Sequence, residues 1–105
     1  MIGGLGTRGS ISQNEIGWRG EHPASPDGCG IDYEGGSDGV TVADNFIHDS
    51  YGAGIMVFGL SDPSRNISNA SLLRNVFMRN GAQQTSDDHG EIAFMEHGST
   101  GRFEV

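Results

Sequence analysis

Residues 39–50 read GVTVADNFIHDS, and the same spacing of apolar residues around a central Asn occurs once before this segment and once after it. The earlier copy is RGSISQNEIGWR at 8–19, and the later copy is NASLLRNVFMRN at 69–80. The central residues, Asn14, Asn45 and Asn75, lie 31 and 30 positions apart. A fixed period of this length predicts a stacked repeat architecture, because one unit alone cannot bury its apolar face.

Apolar residues fall at every second position when the three units are aligned. Alignment on the Asn matches Ile11 with Val42 and Leu72, and Ile16 with Ile47 and Phe77; alignment on the Gly-rich segment further along each unit matches Ile31 with Ile55 and Ile92, and Tyr33 with Val57 and Phe94. A period of two predicts β-strands. The segment 69–80 also fits one face of a helix, but its alignment with residues 39–50 favours a pair of strands.

The recurring Asn is interpreted as a corner residue. An Asn tolerates the left-handed conformation at a bend and bonds to nearby backbone groups. Stacked unit on unit, Asn14, Asn45 and Asn75 can also bond to one another as a ladder. Between these anchors the units differ in length at 21–27, 50–52 and 83–89, as the loops on one edge of a solenoid do.

Residues 39–49, together with GAGIMV at 52–57, resemble the right-handed parallel β-helix of pectate-lyase-like proteins, and the resemblance covers roughly residues 9–97. It implies an all-β solenoid of about three coils and a carbohydrate-active protein that is secreted to an extracellular or periplasmic location. The family includes polysaccharide lyases, glycoside hydrolases, esterases, tailspikes and adhesins without catalytic activity. The resemblance therefore indicates a fold and leaves the activity open.

Length and composition favour one domain over residues 1–105, with Gly at 18 positions to turn the chain between short strands. No capping helix is predicted at either end of the stack, although solenoids need such caps. We therefore expect this sequence to be part of a longer chain, and we expect its open coil ends to self-associate.

The net charge of −8 disfavours a nucleic-acid partner, since 6 Lys and Arg residues stand against 14 Asp and Glu and form no basic run. No apolar segment approaches the ~20 residues of a membrane span, and the first residues do not have the pattern of a signal peptide. Cys29 is the single cysteine, so no disulfide within the chain indicates the compartment.

Asp32 and Glu34 are the strongest candidates for catalysis. If the residues that alternate with them point into the core, the two acids share the outer face of one strand, about 6.5–7 Å apart. This separation suits two carboxylates that flank a glycosidic bond in a hydrolase. The matching outer positions on the next coil are Met56 and Phe58, and Phe58 is a candidate surface for stacking a sugar ring. The structural alternative is two solvated charges on a solenoid face.

A second candidate site is a notch between the longer loops of the first and third units. His48 lies at its floor and is a candidate for proton transfer, while Trp18 and Tyr51 are candidates for binding a sugar ring. His22 and His89, on the flanking loops, are further candidates for the proton transfer. For each of these residues the alternative is an ordinary polar loop position.

No cofactor is predicted, because the chain has neither a paired-Cys nor an HExxH zinc motif. Ca²⁺ is an open alternative, with oxygen ligands from Asp38 and Asp44, or from the 87–91 segment. The predicted function is hydrolysis of a polysaccharide or oligosaccharide by the paired carboxylates. The alternatives are a non-catalytic β-helix module that binds glycans or spaces domains, and a polysaccharide lyase. A lyase is less favoured, because no arginine is matched to an acidic Ca²⁺ cluster.

Overall fold

The computed structural model describes residues 7–19, 28–59, 66–81, 90–95 and 99–100, and every regular element in these ranges is a β-strand. In chain order the strands are β1 (Ser10–Ser12), β2 (Glu15–Arg19), β3 (Ile31–Glu34), β4 (Thr41–Ala43), β5 (Phe46–Ser50), β6 (Ile55–Phe58), β7 (Ile67–Ser68), β8 (Ser71–Leu73), β9 (Val76–Met78), β10 (Ile92–Met95) and β11 (Ser99–Thr100). Among the described residues there is no helix with the length and apolar character that crossing a membrane requires.

Each strand pairs in parallel with the strand one coil away. Three sheets have three strands each, in the orders β1-β4-β8, β2-β5-β9 and β3-β6-β10, and β7 pairs with β11 in a fourth sheet. Strands β1 to β3 form the first coil, β4 to β6 the second, and β8 to β10 the third. The predicted all-β parallel β-helix is confirmed, and the segment 69–80 forms the strands β8 and β9 rather than a helix.

The strand register is the one that the repeat predicts. The matched sets that pair across the three coils are Ile11 with Val42 and Leu72, Ile16 with Ile47 and Phe77, Ile31 with Ile55 and Ile92, and Tyr33 with Val57 and Phe94. Because side chains alternate between the two faces of a strand, this register gathers each set on the inner face of its sheet.

The core is built from stacked apolar side chains of all three coils, and Ile31, Ile47 and Ile55 are fully buried in it. Tyr33 is also fully buried, and its hydroxyl donates to the carbonyl oxygen of Val40 at 2.9 Å. Burial raises the pKa of Tyr33 to about 12, so its phenol remains a neutral donor. This hydrogen bond satisfies a polar atom inside the core and ties β3 to the corner before β4.

Asn14, Asn45 and Asn75 form the predicted ladder. The Asn45 Oδ1 accepts hydrogen bonds from the backbone N–H and the Nδ2 of Asn14, both at 3.0 Å. The Asn75 Oδ1 accepts the same two bonds from Asn45, at 3.1 and 3.0 Å. Asn45 is almost completely buried, so the ladder satisfies polar groups that water does not reach at the corner of the coil.

The left-handed residue at this corner precedes each Asn, whereas the sequence suggested the Asn itself. Gln13, Asp44 and Arg74 have φ angles of 60°, 57° and 52°. The Asn therefore contributes through its side chain, while the residue before it makes the bend. A non-Gly residue holds this uncommon conformation only where the surrounding structure fixes the chain, and the adjacent ladder supplies that constraint.

The third coil is the most exposed part of the described core. Phe94 continues the column of Tyr33 and Val57, but its side chain is 57% exposed. Among the described residues β10 is an edge strand of its sheet, so no described strand covers that side of Phe94. The repeat predicts the position of Phe94 in the column and not its exposure. Self-association through this surface stays a prediction.

Candidate functional site

Asp32 and Glu34 lie on the outer face of β3, as the alternation of the strand predicts. Ile31 and Tyr33, which alternate with them, are fully buried in the core. Both acids are partly exposed. The two side chains therefore project from one strand on the side away from the core, from backbone positions that strand geometry places ~6.5–7 Å apart.

The neighbours of the two acids on the next coil are apolar. Asp32 pairs with Met56, and Glu34 pairs with Phe58. One coil further, Met56 pairs with Ala93. The acids thus stand at one end of a short apolar surface formed by outer-face side chains of β6 and β10.

This outer face is more sheltered than an open solenoid surface. Met56 is 5% exposed and Ala93 is 7% exposed, although both occupy outer positions. Phe58 is half-buried. An outer position on the strand thus does not leave Met56 open to solvent, and the partly exposed Asp32 adjoins a covered apolar side chain.

Glu34 stands at the point where β3 ends in a turn. The hydroxyl of Ser37 donates to the backbone carbonyl oxygen of Glu34 at 2.8 Å, and Gly36 has a φ of 92°. A residue with a side chain rarely adopts that conformation, so the chain turns sharply away from the strand. The turn leaves Glu34 at the rim of the apolar surface.

His48 lies on β5, in a different sheet from the two acids of β3. Its Nε2 is 3.0 Å from the Glu15 Oε1, and its Nδ1 is 2.6 Å from the Asp49 Oδ2. The imidazole is 3% exposed and stacks on Phe46 with 4.3 Å between ring centroids. The contact with Asp49, helped by Glu15 and opposed by burial, raises the pKa of His48 above 6.5.

Asp49 is shared between His48 and an arginine of the third coil. The Arg79 Nε and Nη2 donate to the two carboxylate oxygens of Asp49 at 2.6 and 2.7 Å. The arginine, with His48 as the second contributor, holds the pKa of Asp49 well below its usual range. We call Glu15, His48, Asp49 and Arg79 the charge cluster; its members come from all three coils.

Glycine at position 17 makes room for the imidazole of this cluster. Gly17 pairs with His48 across β2 and β5. A Cβ at Gly17 would lie 2.5 Å from the His48 Cε1 and 2.7 Å from its Nε2. Such distances are not tolerated between non-bonded atoms, so only Gly allows the ring to approach the first coil this closely.

The predicted sugar-binding residues have different outcomes. Phe58 lies beside Glu34, as expected. Tyr51 follows β5 and packs against the corner of the first coil, where the Gly52 N–H donates to the Gly28 carbonyl oxygen at 3.0 Å. Trp18 lies in β2, but its side chain is outside the described part. His22, His89 and the rest of the two long loops are also outside it.

The structure therefore brings Asp32, Glu34 and Phe58 together and places His48 on another sheet. Sequence reasoning missed two Asp–Arg pairs, Asp44 with Arg74 and Asp49 with Arg79. The Arg74 Nε and Nη2 donate to Asp44 at 2.7 and 2.8 Å. In both pairs the residues are 30 positions apart, which is the repeat period. Opposite charges at that spacing were the signal that could have found them.

No group of three His, Cys, Asp or Glu side chains in the described ranges is arranged to hold a metal ion. Of the candidate Ca²⁺ ligands, Asp38 accepts hydrogen bonds from Ser68 and Asn69 at 2.6 and 2.9 Å, and Asp44 is bound by Arg74.

No protein family model, no curated protein and no solved structure matches the chain. The resemblance to pectate-lyase-like proteins therefore stays a prediction, while the β-helix architecture rests on the structure itself.

Proposed function

We propose that this chain is part of a carbohydrate-active β-helix protein that hydrolyses a polysaccharide or oligosaccharide, with Asp32 and Glu34 as the reacting carboxyl pair. The observation that carries the proposal is the position of both acids on the outer face of β3, beside Met56 and Phe58 of the next coil. Two acids beside a sheltered apolar surface are unlike the solvated charges of an ordinary solenoid face, because apolar neighbours do not stabilise carboxylates.

The chemistry of the proposed reaction needs two carboxyl groups on opposite sides of the glycosidic bond. One protonates the leaving oxygen, and the other attacks the anomeric carbon or activates a water molecule. The backbone separation of about 6.5–7 Å along a strand lies at the lower end of the inverting range, about 6.5–9.5 Å, and above the roughly 5–5.5 Å of retaining enzymes. Asp32 and Glu34 therefore suit glycoside cleavage, and the length of their side chains leaves its stereochemical outcome open.

Phe58 supplies the proposed binding surface for the sugar. Its ring is half-buried, so it is held in place while part of it remains accessible. Sugar rings present apolar C–H faces that stack on such aromatic side chains. In this proposal the sugar stacks on the accessible part of Phe58 and reaches Glu34 at the rim. The proposed setting is extracellular or periplasmic, where polysaccharides occur.

A non-catalytic β-helix module is the second candidate, and the contacts between coils favour it. The Asn ladder and the charge cluster both run through all three coils. Such contacts make a rigid spacer or a glycan-binding surface without any chemistry. As part of such a module, His48 stabilises the contacts between coils; a catalytic role for His48 stays a prediction.

A lyase is the weakest alternative, because Arg74 and Arg79 are already bound to acids.

One assay separates these candidates. The chain is incubated with a panel of neutral and uronate polysaccharides, and both new reducing ends and the ultraviolet absorbance of unsaturated products are measured. A hydrolase gives reducing ends without that absorbance, a lyase gives both, and a binding module gives neither. We expect reducing ends alone, and we expect Asp32→Asn and Glu34→Gln each to abolish them while the melting temperature is kept. Full activity in both variants would place the reaction elsewhere.

A further inference from the structure

The charge cluster joins the first coil to the other two through one buried imidazole. His48 contacts Glu15 of β2 on one side and Asp49 of its own strand on the other, and Asp49 is bound by Arg79 of the third coil. In the described part of the chain these are the titratable and charged groups that face the ring from β2, from β5 and from the end of β9. On β9 itself the residue opposite His48 is Met78, which carries no charge.

The number of N–H donors on the ring decides whether both contacts can be made. An imidazolium has two N–H donors, one for each carboxylate. A neutral imidazole has one donor, so its second nitrogen presents a lone pair to a carboxylate oxygen and repels it. The arrangement of one buried ring between two acids therefore fits only the protonated form.

We propose that His48 is a pH-dependent link between coils: when it is protonated, it holds the first coil of the stack to the second. With the proton bound, the ring bridges Glu15 and Asp49 and keeps β2 against β5. Loss of the proton releases one of the two contacts and loosens the first coil. This link is a property of the fold and does not depend on the proposed hydrolase activity. The strand β3, which carries Asp32 and Glu34, belongs to the same first coil.

The pH range of the effect follows from the direction of each shift. The folded-state pKa of His48 lies above its ordinary value of 6.5, so its stabilisation is present in full below pH 6.5 and is lost as the pH rises through the folded value. The pKa of Asp49 is lowered, so its contribution is present above its ordinary value and is lost only in acid. A comparison of about pH 6 with about pH 9 therefore spans the titration of His48 and not that of Asp49.

The test is thermal denaturation of the chain at these two pH values and constant ionic strength. We expect the wild type to melt at a lower temperature at the higher pH, and His48→Gln to lose most of this difference. Asp44→Asn is the matched control: it breaks an Asp–Arg pair that has no histidine, so it should keep the difference. The same pH difference in His48→Gln as in the wild type would overturn the proposal.

Two milder variants keep the test decisive if His48→Gln does not fold. Glu15→Gln removes the negative charge from one contact at a residue that is 58% exposed, and Gly17→Ala pushes the ring away without changing any charge. Both should reduce the pH difference. By NMR, the His48 ring should titrate above pH 6.5 in the wild type and at a lower pH in Glu15→Gln. An unchanged titration midpoint in Glu15→Gln would contradict the bridging role.

Discussion

The outer faces of two sheets carry acids in opposite surroundings. On β2-β5-β9, Glu15 and Asp49 share the ring of His48. On β3-β6-β10, Asp32 and Glu34 lie beside apolar side chains of the next coil. The acids of the first face meet cations across the coils and help to hold the stack together, whereas Asp32 and Glu34 meet apolar side chains across the coils. The first face is therefore suited to holding the solenoid together, and the second carries the acids of the proposed reaction.

The largest expected effect is the loss of folding in Ile55→Asp, because this change disrupts the core that both sheets share. Ile55 is fully buried between Ile31 and Ile92, and an unpaired charge there cannot be accommodated. We expect no cooperative thermal transition by far-UV circular dichroism. Ile55→Val is the control and should cost about 0.5–1.5 kcal/mol. A cooperative transition in Ile55→Asp close to that of the control would show that the core register is wrong.

The next largest effect should come from Asn45→Ala, which interrupts the ladder that both faces depend on. Asn45 is buried and bonds to Asn14, to Asn75 and to the carbonyl oxygen of Ile11. We expect a loss of about 1–3 kcal/mol for each buried group left without a partner, measured by urea unfolding. Asn14→Ala, at the exposed end of the ladder, should cost less. Equal losses in the two variants would argue against a cooperative ladder.

A smaller difference should separate two similar Asp–Arg pairs. Asp49→Asn and Asp44→Asn both weaken a bidentate contact with an arginine one coil away. Asp49 also contacts His48, and it is less exposed than Asp44. We therefore expect Asp49→Asn to lower the melting temperature more than Asp44→Asn, since exposed pairs contribute little. Equal melting temperatures would mean that His48 adds nothing to the cluster.

The smallest effect concerns binding. Phe58→Ala should weaken glycan binding by roughly 1 kcal/mol, on the scale of aromatic contacts, with folding unchanged. Isothermal titration with a polysaccharide that the wild type binds would measure this loss. Phe46→Ala is the matched control, since Phe46 is a half-buried aromatic residue on the other face. If Phe46→Ala weakened binding as much as Phe58→Ala, Phe58 would not be the specific binding surface for the sugar.

Most of the fold could be predicted because it follows from a period. Asn14, Asn45 and Asn75 fix the length of a coil, and the apolar residues two positions after them fix the register. Strand alternation then places Asp32 and Glu34 on the outside of β3. These inferences needed only spacing, which the sequence shows directly.

The remaining features depend on how side chains are covered, which spacing does not reveal. Met56 occupies an outer position and is nevertheless buried, while Phe94 occupies a core position and is exposed. The charge cluster was missed because His48 was considered as a free acid or base. Glu15 lies 33 positions from His48 and Arg79 lies 30 positions from Asp49, so these residues meet only when coils stack.

Thermal denaturation of four variants tests the division between the two faces most directly. The variants are Glu15→Gln and Asp49→Asn on one face, and Asp32→Asn and Glu34→Gln on the other; each replaces a carboxylate by an amide of nearly the same shape. At about pH 6, where His48 is protonated, we expect the first two to lower the melting temperature and the last two to leave it unchanged or raise it. A lower melting temperature for Asp32→Asn and Glu34→Gln, with no change for the other two, would contradict the account.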